Sequence, residues 1–241
     1  MTSKSIRGTE EKRVTKATRA RQDYVKTLYS LGGADVIVPT SQLATRLGVS
    51  APSSTNMLRR LAGDGLVVLA PGRGARLSAA GVRLALHLVR RHRILESFLV
   101  RVLGLDWAEV HEDAEILEHH VSDRVLEAMN RLAGHPQEDP HGHPIPDARG
   151  RLRRRTLVPL ATLPEGATAV VREVHDADGR RMARWKQAGL IPGATVRVRG
   201  VRPLEDVFEI EASGGMLVTG SLGVSGIMVE PARGGRHVRT R

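Results

Sequence analysis

Between Val110 and Asp123 the chain reads VHEDAEILEHHVSD, a run of carboxylates and imidazoles set among a few aliphatic side chains. At about 100° per helical residue, His111, Glu115, Glu118 and His119 share one face, at i, i+4, i+7 and i+8. Ala114, Ile116, Leu117 and Val121 lie between them. Carboxylates turned inward together repel one another and resist desolvation unless a cation joins them. The residues alone allow two readings: a solvated acidic face, or a cation site of oxygen and nitrogen donors. Zincin-type hydrolysis needs two histidines four apart around a general-base glutamate. HEDAEILEHH lacks that pattern, so no enzyme is expected.

Composition narrows the chemistry further. The 241 residues include no cysteine, which removes disulfides, iron–sulfur clusters and thiolate zinc sites. Any metal must be held by oxygen and imidazole. No apolar run approaches the roughly 18 residues that span a bilayer, and there is no signal-peptide core, so a soluble, cytoplasmic protein without a membrane partner is expected. The formal net charge is +11, unevenly placed. Residues 1–22 carry seven Lys/Arg against two Glu, the last eleven residues carry four Arg and no acid, and RLRRR at 151–155 adds four more. A polyanionic partner and solubilising tails are both compatible with such charge.

The elements that must position these residues follow from periodicity. Residues 1–22 form a polar, basic, flexible arm. RQDYVKTLYSLGG spaces Tyr24, Val25, Leu28 and Leu31 as a helix that stops at a glycine pair. PTSQLATRLGVS gives a short helix capped by Thr40 or Ser41 and ended by Gly48. A third helix starts at Ser50, with Pro52 in its first turn and Met57, Leu58 and Leu61 inward. LVVLAPGRGARLS gives two strands around a Pro-Gly-Arg-Gly turn. Helix, helix–turn–helix and hairpin is the order of a winged helix–turn–helix, over 23–78, whose second helix enters the major groove. A helical module at 79–134 follows, with a long helix from Ala79 to about Leu103 and helices near 107–120 and 122–133; it suits a homodimer interface. Residues 135–156 read as a Pro/Gly/Arg-rich linker. Five short strands over 157–231, with a helical turn ending at Gly189, suggest a small β-barrel, and 232–241 is a basic tail. The fold class is α+β.

RRHRILESFLVRVLGLD, VHEDAEILEHHVSD, HGHPIP and SAPSSTNMLRRLAGDGLV, in this order of modules, resemble the metal-dependent repressors of the diphtheria toxin repressor family over nearly the whole chain. The barrel is similar to that family's SH3-like, FeoA-like domain. The resemblance implies a homodimer that a divalent metal activates to bind palindromic operator DNA, repressing genes of metal homeostasis. Residue by residue, it implies a primary site of Asp23, Glu115, Glu118 and His119. It also implies an ancillary site of His92, Glu96 and His111, with Glu173 and Asp176 from the barrel. Iron regulators of the family have sulfur ligands where this chain has Asp23 and Glu115. Two carboxylates there favour the manganese-responsive branch, since hard oxygen ligands remove an advantage of Fe²⁺. Lys26 stands where that branch often has another carboxylate. The chain thus combines a manganese-type primary site with an iron-regulator-type ancillary site. The expected ion is Mn²⁺, with Fe²⁺ as the alternative; a metal-binding adaptor that does not touch DNA is a further reading. For DNA, Ser50, Pro52 and Asn56 are expected to contact bases, Asn56 at an adenine edge, and Thr40, Arg60 and Arg73 to contact phosphates.

Overall fold

The computed structural model describes residues 19–153, 155–175 and 179–232, in two compact units. The basic arm before residue 19, Asp176 and most of the basic tail lie outside the described residues.

The first unit spans Met1–Arg91 with Pro146–Arg151. Helix α1 covers 19–30, and Tyr24, Val25 and Leu28 on it are buried. They pack with Leu43 of α2 (Thr40–Leu47) and with Leu58 and Leu61 of α3 (Ala51–Gly63). Helix α2 does not use the expected hydroxyl cap. Its N-cap is Pro39, at φ −60° and ψ 139°, and no side chain bonds the first turn. Gly48 ends α2 at φ 64°, a left-handed conformation that glycine adopts without steric cost. Ser50 then caps α3 as its sequence predicts, accepting the Ser53 N–H at 3.3 Å, with Pro52 in the first turn. The wing is an antiparallel pair, β1 (Val67–Ala70) and β2 (Gly74–Leu77), that bridges back through Ala75 to Val38. This is the winged helix–turn–helix expected from the periodicity.

Helix α4 (Ala79–Arg101) contributes its first half to this unit and its second half to the other. The second unit spans His92–Ile145 with Leu152–Arg241. Its helical part buries Ile94, Leu95 and Leu99 of α4 against Val110 and Ala114 of α5 (Val110–Leu117) and Leu126 of α6 (Asp123–Leu132). Its sheet has six strands in the order β3-β8-β4-β5-β6-β7, one more than the sequence suggested. The strands are β3 (Val158–Pro159), β4 (Thr168–Val174), β5 (Thr195–Arg202), β6 (Val207–Ala212), β7 (Gly215–Thr219) and β8 (Ile227–Pro231). Helix α7 (Gly179–Gln187) follows β4 and buries Met182 and Trp185 in the core of the sheet. Register shifts at Val171/Glu173 and Val198/Gly200 add the local twist that curls a short sheet.

Residues 135–145 are not a free linker. Pro136, Asp139, His141, Gly142 and Pro144 are buried, and Glu138 bridges to Pro144. Arg93 donates to the Pro144 carbonyl at 2.5 Å, and Val174 N–H donates to the His141 carbonyl at 3.0 Å. Gly142, at φ +87°, lies so close to β4 that a Cβ would stand 1.9 Å from the Arg172 carbonyl oxygen. No apolar period announces this loop, because side-chain hydrogen bonds and one glycine order it. Among the described residues, no helix is long and apolar enough to cross a membrane.

Candidate metal centre and DNA-reading helix

The candidate metal centre is built largely on helical spacing. His92 and Glu96 stand at i and i+4 on α4, and His111 and Glu115 stand at i and i+4 on α5. Glu118 occupies the C-cap of α5, and His119 follows it. Glu96 and Glu118 are each 2% exposed, which is rare for carboxylates unless they are paired. His92 answers both: its Nδ1 is 2.7 Å from Glu118 Oε2, and its Nε2 is 2.9 Å from Glu96 Oε1. His111 Nδ1 then comes within 3.1 Å of His92 Nε2 and 3.2 Å of Glu96 Oε1. Glu115 Oε1 lies 3.8 Å from His111 Nε2, and Glu118 Oε1 lies 3.6 Å from His119 Nε2.

The ordered loop supplies a residue that the sequence reading missed. His141 Nε2 lies 2.7 Å from the Trp107 carbonyl, which can only accept, so that nitrogen carries the proton. Its Nδ1 stands 3.6 Å from Glu96 Oε2. Three imidazoles thus converge on one buried carboxylate. Burial alone would raise the Glu96 carboxyl. The charge of His92 and hydrogen bonds from His111, His141 and His92 outweigh it and hold Glu96 well below the usual carboxylate range. Burial alone would lower His141. Its hydrogen bond to Glu96, the charges of Glu96 and Asp139, and the Trp107 carbonyl raise it instead.

A second cluster, Asp139, His141 and His143, has different work. Asp139 Oδ1 accepts the backbone N–H groups of His141 and His143 at 2.8 and 3.0 Å. Its Oδ2 faces Arg93 Nε at 3.5 Å and His143 Nδ1 at 3.2 Å. A carboxylate already neutralised by a guanidinium and engaged by two amides closes a loop. Glu173 sits on β4 opposite Met228 and belongs to none of the metal-donor groups among the described residues. Glu112 on α5 and His120 in the turn after it are exposed.

In the first unit, Asp23 is half-buried on α1. Ser50, Pro52, Asn56 and Arg60 are exposed along α3, Arg73 is exposed at the wing turn, and Thr40 is half-buried at the start of α2. Arg59, which the sequence reading passed over, donates from Nη1 to Asn56 Oδ1 at 3.3 Å.

Residues 16–75 match the DNA-binding domain of iron-dependent repressors, residues 78–147 match their metal-binding and dimerisation domain, and residues 158–231 match the FeoA domain. The iron-dependent repressor IdeR of Mycobacterium tuberculosis is 33% identical over 187 residues, which cover 73% of this chain and 81% of that protein. The chain belongs to the diphtheria toxin repressor family. The diphtheria toxin repressor of Corynebacterium diphtheriae is itself 33% identical over 154 residues, covering 63% of this chain and 68% of that one. Among solved structures, a manganese-dependent transcriptional repressor in complex with manganese superposes with a TM-score of 0.81 at 36% identity, covering 88% of this chain and all of that one. The manganese regulator SloR does so at 0.71 and 30% identity, covering 88% of this chain and 98% of that one. Family membership makes this chain a metal-dependent, DNA-binding transcriptional repressor and not an enzyme.

The donor set fits a divalent cation. Ligand atoms on an octahedral ion with bonds of about 2.1 Å stand about 3 Å apart. His92 Nε2, His111 Nδ1 and Glu96 Oε1 are mutually separated by 2.9–3.2 Å, the spacing such an edge requires. Absence of cysteine restricts the set to oxygen and nitrogen.

Proposed function

We propose that this repressor responds to manganese, as a homodimer on palindromic operator DNA that controls metal homeostasis. The mutual approach of His92 Nε2, His111 Nδ1 and Glu96 Oε1 within 3.2 Å carries the ancillary half of this reading. His141, whose Nδ1 faces Oε2 of Glu96, is a further candidate for that set beside Glu173 and Asp176. The primary set of Asp23, Glu115, Glu118 and His119 rests on the sequence resemblance. The resemblance draws Asp23 from the DNA-reading module and its partners from the dimerisation module, so a cation shared as the family pattern implies would restrict the orientation in which α3 is offered to DNA. Binding would then shift the population toward the competent state only by its differential affinity for that state.

Both donor sets are carboxylate and imidazole, which leaves Fe²⁺ no thiolate or thioether advantage. Iron remains the second reading because IdeR, at 33% identity, is an iron-dependent repressor. Anaerobic operator titrations at matched free Mn²⁺ and Fe²⁺ decide between them. A lower half-saturating Mn²⁺ supports the proposal, and a lower half-saturating Fe²⁺ replaces the manganese label with iron. Asp23→Ala is expected to remain folded and to lose metal-activated binding by at least about tenfold, about 1.4 kcal/mol. A wild-type Mn²⁺ response in that variant would remove Asp23 from the primary set.

A further inference from the structure

The exposed side of α3 has a geometry of its own. Ser54, Leu58 and Leu61 are buried and define its inner face. At about 100° per residue, the opposite pole falls on Pro52, Asn56 and Arg59, with Arg59 about 20° from Pro52 and Asn56 about 40° to the other side. Arg60 lies about 80° from Pro52 and about 40° beyond Asn56, on the other edge of the stripe. Arg59 and Arg60 therefore stand on opposite edges of the stripe, and among the described residues it is Arg59 that bonds Asn56. All three pole residues are exposed.

Arg59 also constrains Asn56. Arginine carries only N–H donors, so its contact with an asparagine must be made to the amide oxygen. The Nη1–Oδ1 approach of 3.3 Å thus sets the Asn56 amide with Oδ1 against the guanidinium and the Nδ2 hydrogens elsewhere. An asparagine that reads adenine needs Oδ1 to accept from N6 while Nδ2 donates to N7. With Arg59 at Oδ1, an adenine N6 amine would meet a cationic donor. Guanine presents O6 and N7, both acceptors, at the same places.

We propose that Arg59 orients the Asn56 amide and sets a cationic donor beside its Oδ1, so that the pole of α3 is rich in donors, and that this pair selects guanine rather than adenine in the operator. The inference rests on the reading of the chain as a metal-activated DNA-binding repressor and revises the adenine contact expected from the sequence. Arg59 is a direct reader of the guanine edge as well as the positioning residue for Asn56.

The test uses the full chain with Mn²⁺ on a DNA pool in which the half-site is randomised, sequencing the bound fraction. Asn56→Ala identifies the base pair whose preference depends on Asn56. At that pair the wild type is expected to select guanine, and Arg59→Ala, by releasing Oδ1, to shift the preference toward adenine by about tenfold. Arg60→Ala is expected to weaken all sequences alike and leave the base unchanged. Wild-type selection of adenine at that pair overturns the inference while leaving the repressor reading intact. So does a guanine preference that Arg59→Ala does not alter, or the absence of any pair that depends on Asn56. If no sequence is enriched with Mn²⁺ or Fe²⁺, the metal-activated reading falls, and the inference falls with it.

Discussion

Asn56 and Arg59 face solvent on α3, whereas His92, Glu96 and Glu118 are buried on α4 and at the end of α5. The first pair has one hydrogen bond between its members and is otherwise exposed. The buried group has both nitrogens of His92 engaged by carboxylates at 2.7 and 2.9 Å. The contrast separates two ways of carrying function. An exposed stripe waits for a partner and contributes little to the fold. A buried ionic cluster is part of the fold, so changing it alters stability and binding together.

Glu96→Ala tests that contrast most severely. It removes the carboxylate on which His92, His111 and His141 converge, leaving the buried nitrogens of His92 and His141 without that acceptor. A loss of about 3–5 kcal/mol is expected from urea unfolding in the presence of chelator. Calorimetry should also show weakened Mn²⁺ binding. Asn56→Ala, its exposed counterpart, should stay within about 0.5 kcal/mol of wild type. Equal unfolding midpoints for the two variants would break the comparison.

Gly142→Ala asks whether the loop that presents His141 is as firmly built as the helices. The added carbon meets the Arg172 carbonyl, and φ is +87°. A cost of about 1–3 kcal/mol is expected, with weakened Mn²⁺ binding where His141 is displaced. Unchanged melting and metal affinity would show that the loop yields without consequence.

What the sequence made legible, and what it hid, follows the same division. The winged helix–turn–helix could be read because Leu43, Leu58 and Leu61 recur at helical spacing and Ser50, Gly48 and the wing turn punctuate them. The clustering of His111, Glu115, Glu118 and His119 could be read because they fall within nine consecutive residues, although α5 ends at Leu117 and leaves Glu118 at its C-cap and His119 beyond it. His141 could not, since its role depends on Asp139, Arg93 and Gly142 folding a segment that has no apolar period. Its one sequence signal was the unusual density of His and Pro in HGHPIP. Pro39 displaced the expected hydroxyl cap of α2 because its fixed φ already provides the extended entry to the helix. Arg59 was hidden by its type, since a lone arginine on a helix reads as a solvated charge until its contact with Asn56 is seen.

Ser50→Ala sharpens the comparison from the exposed side. It removes the cap that accepts the Ser53 N–H, and about 1 kcal/mol of stability in the first unit is expected to go with it. Thermal unfolding should report that loss, while Mn²⁺ affinity at the ancillary donors stays at the wild-type value. A matching fall in that affinity would contradict the separation between reading helix and metal centre.

The smallest effect belongs to the exposed ion pair of Asp106 and Lys186. The Lys186 hydrogen bond and the Ala108 N–H hold the Asp106 carboxyl below its ordinary range. A lowered folded-state value gives stability that is present above the unfolded value and lost as pH falls through the folded one. Asp106→Asn should therefore cost no more than about 0.5 kcal/mol at neutral pH. The difference from wild type should vanish in acid. A difference that grows on acidification would have the wrong sign for this pair.

Glu118 gives one further consequence. Its two oxygens have different neighbours, Oε2 His92 at 2.7 Å and Oε1 His119 at 3.6 Å, so one carboxylate is common to the neighbourhoods of both proposed donor sets. Any change in how His119 and Glu118 are engaged alters the charge that His92 experiences, and the reverse holds to the same degree because coupling between sites is reciprocal. The free energies of filling the two sets then do not add. Where the coupling is favourable, occupancy rises over a narrower span of metal concentration than two independent sites would allow. A repressor wired through one shared carboxylate is in that case a threshold device, and its dose–response steepness is a property of Glu118.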